Sequence, residues 1–342
     1  MTSARIGKKI APGFSLDVEF SVPPGVTALF GPSGVGKTLI LEALAGFATP
    51  DSGRILLDDV LLFDAAAQVS VPPHQRGCGY VAQRDALFPH MTLRQNLAFA
   101  AHRSPRVERT RRVAEALDRF ELASVAARRP REMGPPEKLR GAVARALLAS
   151  PKLLLLDDRG FPEALLRKVR EVFPGPILLV TNDLDLCCAA AERLILLDAG
   201  RIVQSGPPRG VLERPETVDA ARVLGIPNVF EGAIAALDPE RHSSRLEFSG
   251  FAISGPHLPG HFRGDRVSVA VWPEDLRVHA GEGERRDNAV PAELVRVSRG
   301  ARTVRLEFAG GLFVDVPAEE YEAKKDTNTW QVEFLAEKLR VL

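Results

Sequence analysis

A chain of 342 residues exceeds the usual size of one domain, so two are expected. The net charge of +1 gives no long-range basic field, and no Lys/Arg cluster interleaves with aromatics, which makes nucleic acid a poor first reading. No window approaches about 20 apolar residues, and the opening MTSARIGKKIAPGF has basic residues but no apolar core, so neither a spanning segment nor a signal peptide is expected and the chain reads as cytoplasmic.

In chain order, FSLDVEFSV (14–22) and GRILLDDVLLF (53–63) alternate apolar with polar residues and predict a small, partly exposed sheet. Short apolar runs then alternate with helical stretches: VTALF with TLILEALAGF, AVARALL with KLLLLD, ALLRKVREVF with PILLVT, and finally RLILLDAGRIVQSG. Continuous apolar strands such as LLLLD and ILLV belong to a sheet covered on both faces, which predicts an α/β domain with a parallel centre. In the helix expected over 108–120, Val113, Leu117 and Phe120 fall at i, i+4 and i+7 and give one apolar stripe. The Pro- and Gly-rich stretch 206–230 reads as the boundary, with a nucleotide-binding domain at 1–210, a linker at 211–229 and a β domain at 230–342.

Beyond 230 the pattern changes to short strands and turns. RLEFSGF at 245 recurs as RLEFAGGLF at 305, and EDLRV at 274 recurs as EKLRV at 337. The repeated order and spacing predict a duplicated β unit of about 60 residues, against chance similarity between β sequences that share a small alphabet. The three cysteines, Cys78 alone and Cys187 next to Cys188, form no disulfide framework and no CxxC pair.

GPSGVGKT (Gly31, Pro32, Ser33, Gly34, Val35, Gly36, Lys37, Thr38) fits GxxxxGK[ST], follows an apolar strand and opens a helix, which is the context of a phosphate-binding loop. Glycines let backbone N–H groups wrap a phosphate, the Lys37 ammonium serves the β and γ oxygens, and the Thr38 hydroxyl can ligate Mg²⁺. A nucleoside triphosphate and Mg²⁺ are therefore the expected ligands. Asp157 ends the apolar strand KLLLLD, where a carboxylate can reach the metal through water; alone it would be an ordinary strand end, and beside the loop it becomes a metal candidate. Further on, Pro135 and Pro136 stand before the helix expected from Lys138 to Leu148. Proline suits a first helical turn, yet it removes N–H donors that would make that terminus an anion site.

With these motifs in hand, the chain resembles the ATP-binding subunits of ABC transporters, most closely those of importers for molybdate and related oxyanions. FSLDVEFSVPPGVTALFGPSGVGKT is similar to that family's opening, YVAQRDALFPHMTLRQNLAF (80–99) to its Q-loop region, ARALLASPKLLLLDD to its signature helix and metal-carboxylate strand, and LLDAGRIVQSGPP to the end of its nucleotide domain. PNVFEGAI and VWPEDLRV resemble strands of its C-terminal TOBE or Mop-type domain. The resemblance implies a P-loop NTPase fold with a helical subdomain at about 85–150 and a small antiparallel sheet, followed by an all-β, OB-like domain. It implies Gln83 as the metal- and water-sensing glutamine, with Thr38 and Asp157 completing the metal set. It further implies a second nucleotide-binding subunit closing head to tail, by expectation a homodimer, and transmembrane permease subunits that place the chain at the inner face of the cell membrane.

Four departures stand against that pattern. The family's LSGGQ falls on MGPPE (133–137), so Gly134 replaces the serine and both glycines are prolines. The glutamate that orients the attacking water is Asp158, the switch histidine is Asn182, and the D-loop position reads RGFPEA (159–164). A lost donor at developing charge costs about 3 kcal/mol of transition-state stabilisation, and a misplacement near 1 Å costs about a hundredfold. Asn182 can hydrogen-bond but cannot carry a histidine's charge. Two readings follow: a motor subunit that binds ATP and hydrolyses it slowly to drive oxyanion uptake, or a non-hydrolysing regulatory or structural subunit. A third, oxyanion binding by the C-terminal domain through residues such as Arg263 and Arg266, competes with their being solvated surface. A neighbouring segment that supplies the missing donors remains the alternative to a lost phosphate site.

Overall fold

The computed structural model describes residues 2–11, 13–83, 87–157, 160–281, 288–325, 327 and 329–342. The chain divides into two compact units, Met1–Val211 and Leu212–Leu342.

In the first unit the strands are β1 (Thr2–Ala11), β2 (Phe14–Val22), β3 (Gly25–Phe30), β4 (Ser52–Leu57), β5 (Val60–Asp64), β6 (Val69–Ser70), β7 (Cys78–Val81), β8 (Leu153–Asp157), β9 (Pro176–Thr181), β10 (Arg193–Asp198) and β11 (Arg201–Gly206). The helices are α1 (Lys37–Ala45), α2 (Leu93–Ala100), α3 (Arg106–Arg119), α4 (Pro135–Leu148), α5 (Glu163–Val172) and α6 (Leu184–Ala190). The alternating segments form an antiparallel sheet in the order β2-β1-β4-β5-β6. Sequence reasoning missed its long interior strand, β1, whose signal is the alternation that buries Ala4 and Ile6 between exposed or half-exposed neighbours.

The apolar runs build a six-stranded sheet, β11-β10-β3-β9-β8-β7, in which β10, β3, β9, β8 and β7 are parallel and β11 is an antiparallel edge. Strands β3, β8 and β9 are buried along their whole length because both faces are covered. On one face Leu29, Leu153, Leu155 and Val180 pack with Ile40 and Leu44 of α1 and with the antiparallel sheet; on the other, Val26, Leu154, Leu156 and Leu179 pack with residues of α3, α4 and α5. The helix expected over 108–120 is α3, and Val113, Leu117 and Phe120 form its buried stripe.

The segment read as a linker is folded. Helix α7 (Pro208–Glu213) crosses the division between the units, and α8 (Val218–Leu224) follows, with Ala220, Ala221 and Leu224 buried. Thr217 caps α8 by accepting from Ala220 N (3.1 Å), and Gly225 ends it at φ 82°. These start and stop signals lie between prolines that read as punctuation.

The second unit contains β12 (Asn228–Asp238), β13 (Ser243–Phe248), β14 (Phe251–Pro256), β15 (Arg266–Val271), β16 (Leu276–Ala280), β17 (Ala289–Ala292), β18 (Leu294–Arg299), β19 (Thr303–Phe308), β20 (Leu312–Pro317), α9 (Ala318–Lys324), β21 (Trp330–Phe334) and β22 (Arg340–Val341). They form sheets β14-β13-β12-β15-β22, β16-β21-β17 and β18-β19-β20 over one core that includes Leu246, Val269, Leu306 and Val332. The two echoed segments form the hairpins β13–β14 and β19–β20. EDLRV leads through a short turn into β16, which pairs with β21; EKLRV leads through a similar turn into β22, which pairs with β15. Asn228 and Asn288 make matching clamps: each side-chain amide donates to the carbonyl and accepts from the N–H of one residue, Phe313 for Asn228 and Ser254 for Asn288, and Asn288 donates to the Phe334 carbonyl as well.

Candidate nucleotide site

Strand order sets the site. The loop Gly31–Gly36 leaves the C-terminal end of β3, whose neighbours are β9 and β10, and parallel strands there open a crevice at their carboxyl ends. Register brings Phe30 level with Thr181 and Asp157 level with Val180, so Asn182, Asp157 and Gln83 all leave the same sheet edge as the loop.

The loop needs its glycines for identifiable reasons. Gly34 and Gly36 lie at φ 89° and 102°, a region that side chains disfavour, and such a turn points successive N–H groups into one concavity. A Cβ on Gly31 would stand 2.1 Å from the Leu197 carbonyl oxygen. Val35 is buried and anchors the loop to the core, while Pro32, Ser33, Gly34 and Thr38 are exposed. Helix α1 starts at Lys37, so the loop's N–H groups and the helix N-terminus face the same space.

Lys37 is only 4% exposed, and its ammonium donates to the carbonyls of Gly31 (2.5 Å) and Pro32 (2.7 Å). A buried ammonium held against the mouth of a left-handed glycine turn fits a phosphate ligand: anionic oxygens make stronger acceptors than neutral carbonyls. With its amide oriented to suit its surroundings, Asn182 donates to the Gly31 carbonyl (3.2 Å) and to its neighbour Thr181 (3.2 Å). The structure thus brings Lys37 and Asn182 onto one loop carbonyl. Asp157 is 3% exposed, and its Oδ2 accepts from the Tyr80 hydroxyl at 3.4 Å. A buried carboxylate beside a phosphate loop suits a divalent cation held with Thr38. Gln83 is exposed, and among the described residues no hydrogen bond joins it to the others. Asp158 lies outside the described residues, as does Arg159 at the start of the D-loop position.

Two neighbours escaped sequence reasoning. Phe14, half-buried at the start of β2, places Cζ 3.9 Å from where a Cβ on Gly36 would sit, so an aromatic ring borders the loop. Tyr80 reaches Asp157 from the adjacent strand. The signal for Tyr80 is its place three residues before Gln83 on a strand paired with β8; that for Phe14 needs the fold.

The start of α4 has a different character. Gly134 is the N-cap residue at φ −72°, Pro135 and Pro136 supply no N–H, and Lys138 N closes the first helical bond to Gly134 O (3.0 Å). The Gly134 N–H donates to Glu137 Oε2 at 2.8 Å. Of the two N–H groups that the prolines leave at this terminus, those of Gly134 and Glu137, the helix's own carboxylate therefore holds the first. Arg263 and Arg266 in the second unit are exposed.

Residues 16–159 match the family model described as ABC transporter. A molybdenum import ATP-binding protein of Rhodospirillum rubrum is 40% identical over 65% of this chain, which spans 63% of that relative's length. One from Rhizobium johnstonii is 34% identical over 92% of both chains. A spermidine/putrescine import ATP-binding protein of Vibrio cholerae serotype O1 is 34% identical over 80% of this chain and 72% of its own length. Among solved structures, a component of an ABC transporter complex from Clostridium perfringens superposes on 65% of this chain and 94% of its own with a TM-score of 0.54 at 23% identity, a likeness of fold. With the phosphate loop, the buried lysine and the strand-end aspartate on one sheet edge, the chain belongs to the ABC transporter family of ATP-binding proteins.

Proposed function

We propose that this chain is the ATP-binding subunit of an importer for molybdate or a related oxyanion, which works at the inner face of the cell membrane with separate permease subunits and a second nucleotide-binding subunit. The observation that carries the nucleotide reading is the Lys37 ammonium, buried against the carbonyls of Gly31 and Pro32 at the N-terminus of α1. The oxyanion is supported by two molybdenum-import relatives, one matching along nearly its whole length. The polyamine relative keeps the cation class as the competing substrate.

In this reading the loop N–H groups cradle the β-phosphate, and Lys37 turns from its two carbonyls to the β and γ oxygens. The base stacks on Phe14, whose ring offers a face at low conformational cost. Mg²⁺, when bound, neutralises phosphate charge; Thr38 and Asp157 would hold it, with Gln83 near. Asn182 keeps the Gly31 carbonyl in place and offers the γ-phosphate a neutral hydrogen-bond partner. It cannot store a proton at neutral pH as an imidazole can.

Hydrolysis is proposed to be slow. The α4 terminus that faces a second subunit's nucleotide in the expected head-to-tail pair has two prolines and a satisfied N–H, so it adds little to the charge stabilisation such a terminus normally supplies. The C-terminal unit is read as a duplicated TOBE or Mop-type domain, supported by the matching hairpins and clamps.

A single-turnover ATPase assay on the full chain, alone and with its permease, tests this. Slow phosphate release abolished by Lys37→Ala supports the motor. Tight ATP binding with no release, with or without permease, replaces it with a regulatory subunit.

A further inference from the structure

Tyr80 stands on β7 beside β8, with its main chain level with Leu155. Strand alternation puts Asp157 on the face of β8 that carries Leu153 and Leu155, and the tyrosine packs against that same cluster, on the α1 side of the sheet. Its ring also meets Phe47 just after α1, with centroids 5.7 Å apart. From there the phenol reaches up the sheet and donates its single hydrogen to Asp157 Oδ2. Thr38 and Glu42, four residues apart on α1, share one helix face, and the Glu42 charge is felt at Tyr80. One hydroxyl therefore sits in the field of two carboxylates, one at the metal position and one on the helix that bears the metal hydroxyl.

We propose that Tyr80 is a positioning residue for the metal carboxylate: its hydroxyl pins Asp157 Oδ2 and so fixes the direction in which Oδ1 is offered to the cation's water shell. A phenol is protonated at physiological pH, so its hydroxyl is a donor to the carboxylate there. Half-burying a hydroxyl costs free energy unless it is bonded, and a phenylalanine would fill the apolar part of the site without that cost. Partners behind a ligating carboxylate fix its orientation and tune metal affinity. This inference rests on the nucleotide reading above, because it assigns Asp157 to the metal.

The test is calorimetric titration of the full chain with ATP, in EDTA and at stepped MgCl₂ concentrations, for wild type, Tyr80→Phe, Asp157→Asn and the double variant, with thermal melting in parallel. Tyr80→Phe is expected to raise the Mg²⁺ concentration of half-maximal effect about tenfold, the low end of what losing a ligand-orienting partner costs, while affinity in EDTA stays within about twofold. Adding it to Asp157→Asn is expected to change nothing further, because the metal carboxylate that the hydroxyl orients is already gone. A wild-type Mg²⁺ response in Tyr80→Phe, whether or not its melting point moves, overturns the proposal, as does a double variant whose effects simply add. Wild-type chain that binds no ATP in either condition defeats the nucleotide reading itself, a different result from intact binding with an unmoved Mg²⁺ response.

Discussion

At the start of α1 the chain supplies left-handed glycines and a buried lysine; at the start of α4 it supplies two prolines and a glutamate that takes the Gly134 N–H. Both are helix N-termini with the same partial positive charge. What separates them is which donors the sequence leaves available. Helix geometry alone makes neither an anion site.

The largest effect is expected from the α1 side. Lys37→Ala should lower Mg-ATP affinity about a hundredfold, as two charge-assisted hydrogen bonds are lost; isothermal titration measures it, and a loss under about threefold breaks the contrast. Next, replacing Gly134, Pro135 and Pro136 together by Ser, Gly and Gly should speed phosphate release about 10- to 100-fold in the assembled transporter, since donors return to the developing charge. An unchanged rate under single turnover means that α4 does not serve the nucleotide.

A smaller effect concerns the cap. Glu137→Ala leaves the Gly134 N–H to solvent and should cost about 1 kcal/mol, a melting shift of about 3 °C. No shift in calorimetric melting would show that the carboxylate contributes nothing there. The smallest concerns how α4 is braced. Glu121 accepts from Lys168 of α5 and from Arg140 of α4, and the Lys168 hydrogen bond holds its carboxyl below the ordinary 4.5. Because the folded value is depressed, this stabilisation is present above the unfolded value and lost as pH falls through the folded one. Denaturant midpoints of wild type and Glu121→Gln should differ slightly at neutral pH and converge once pH falls below the depressed folded value. Equal midpoints at neutral pH remove Glu121 from the account.

The phosphate loop was legible because its residues are contiguous and each has a local reason: glycine for backbone direction, lysine for charge. Asp157 was legible from the apolar run before it. Strand order was not, because it depends on which of several equally apolar strands pair, and Tyr80 next to Asp157 follows only from the β7–β8 pairing. The two prolines announced missing donors, but that Glu137 takes the Gly134 N–H needed the N-cap geometry. Strand β1 was passed over because its basic residues mask a two-residue alternation, and α8 because prolines on either side read as chain breaks.

The reciprocal pairing in the second unit bears on how it unfolds. Strand β22 completes the sheet begun by β12 to β15, and β16, from the earlier of the two echoed stretches, completes the sheet held by β21. Neither half keeps a full complement of strands without the other. A truncation after residue 281 therefore strips an edge from what remains, and the whole unit melts in one transition instead of two.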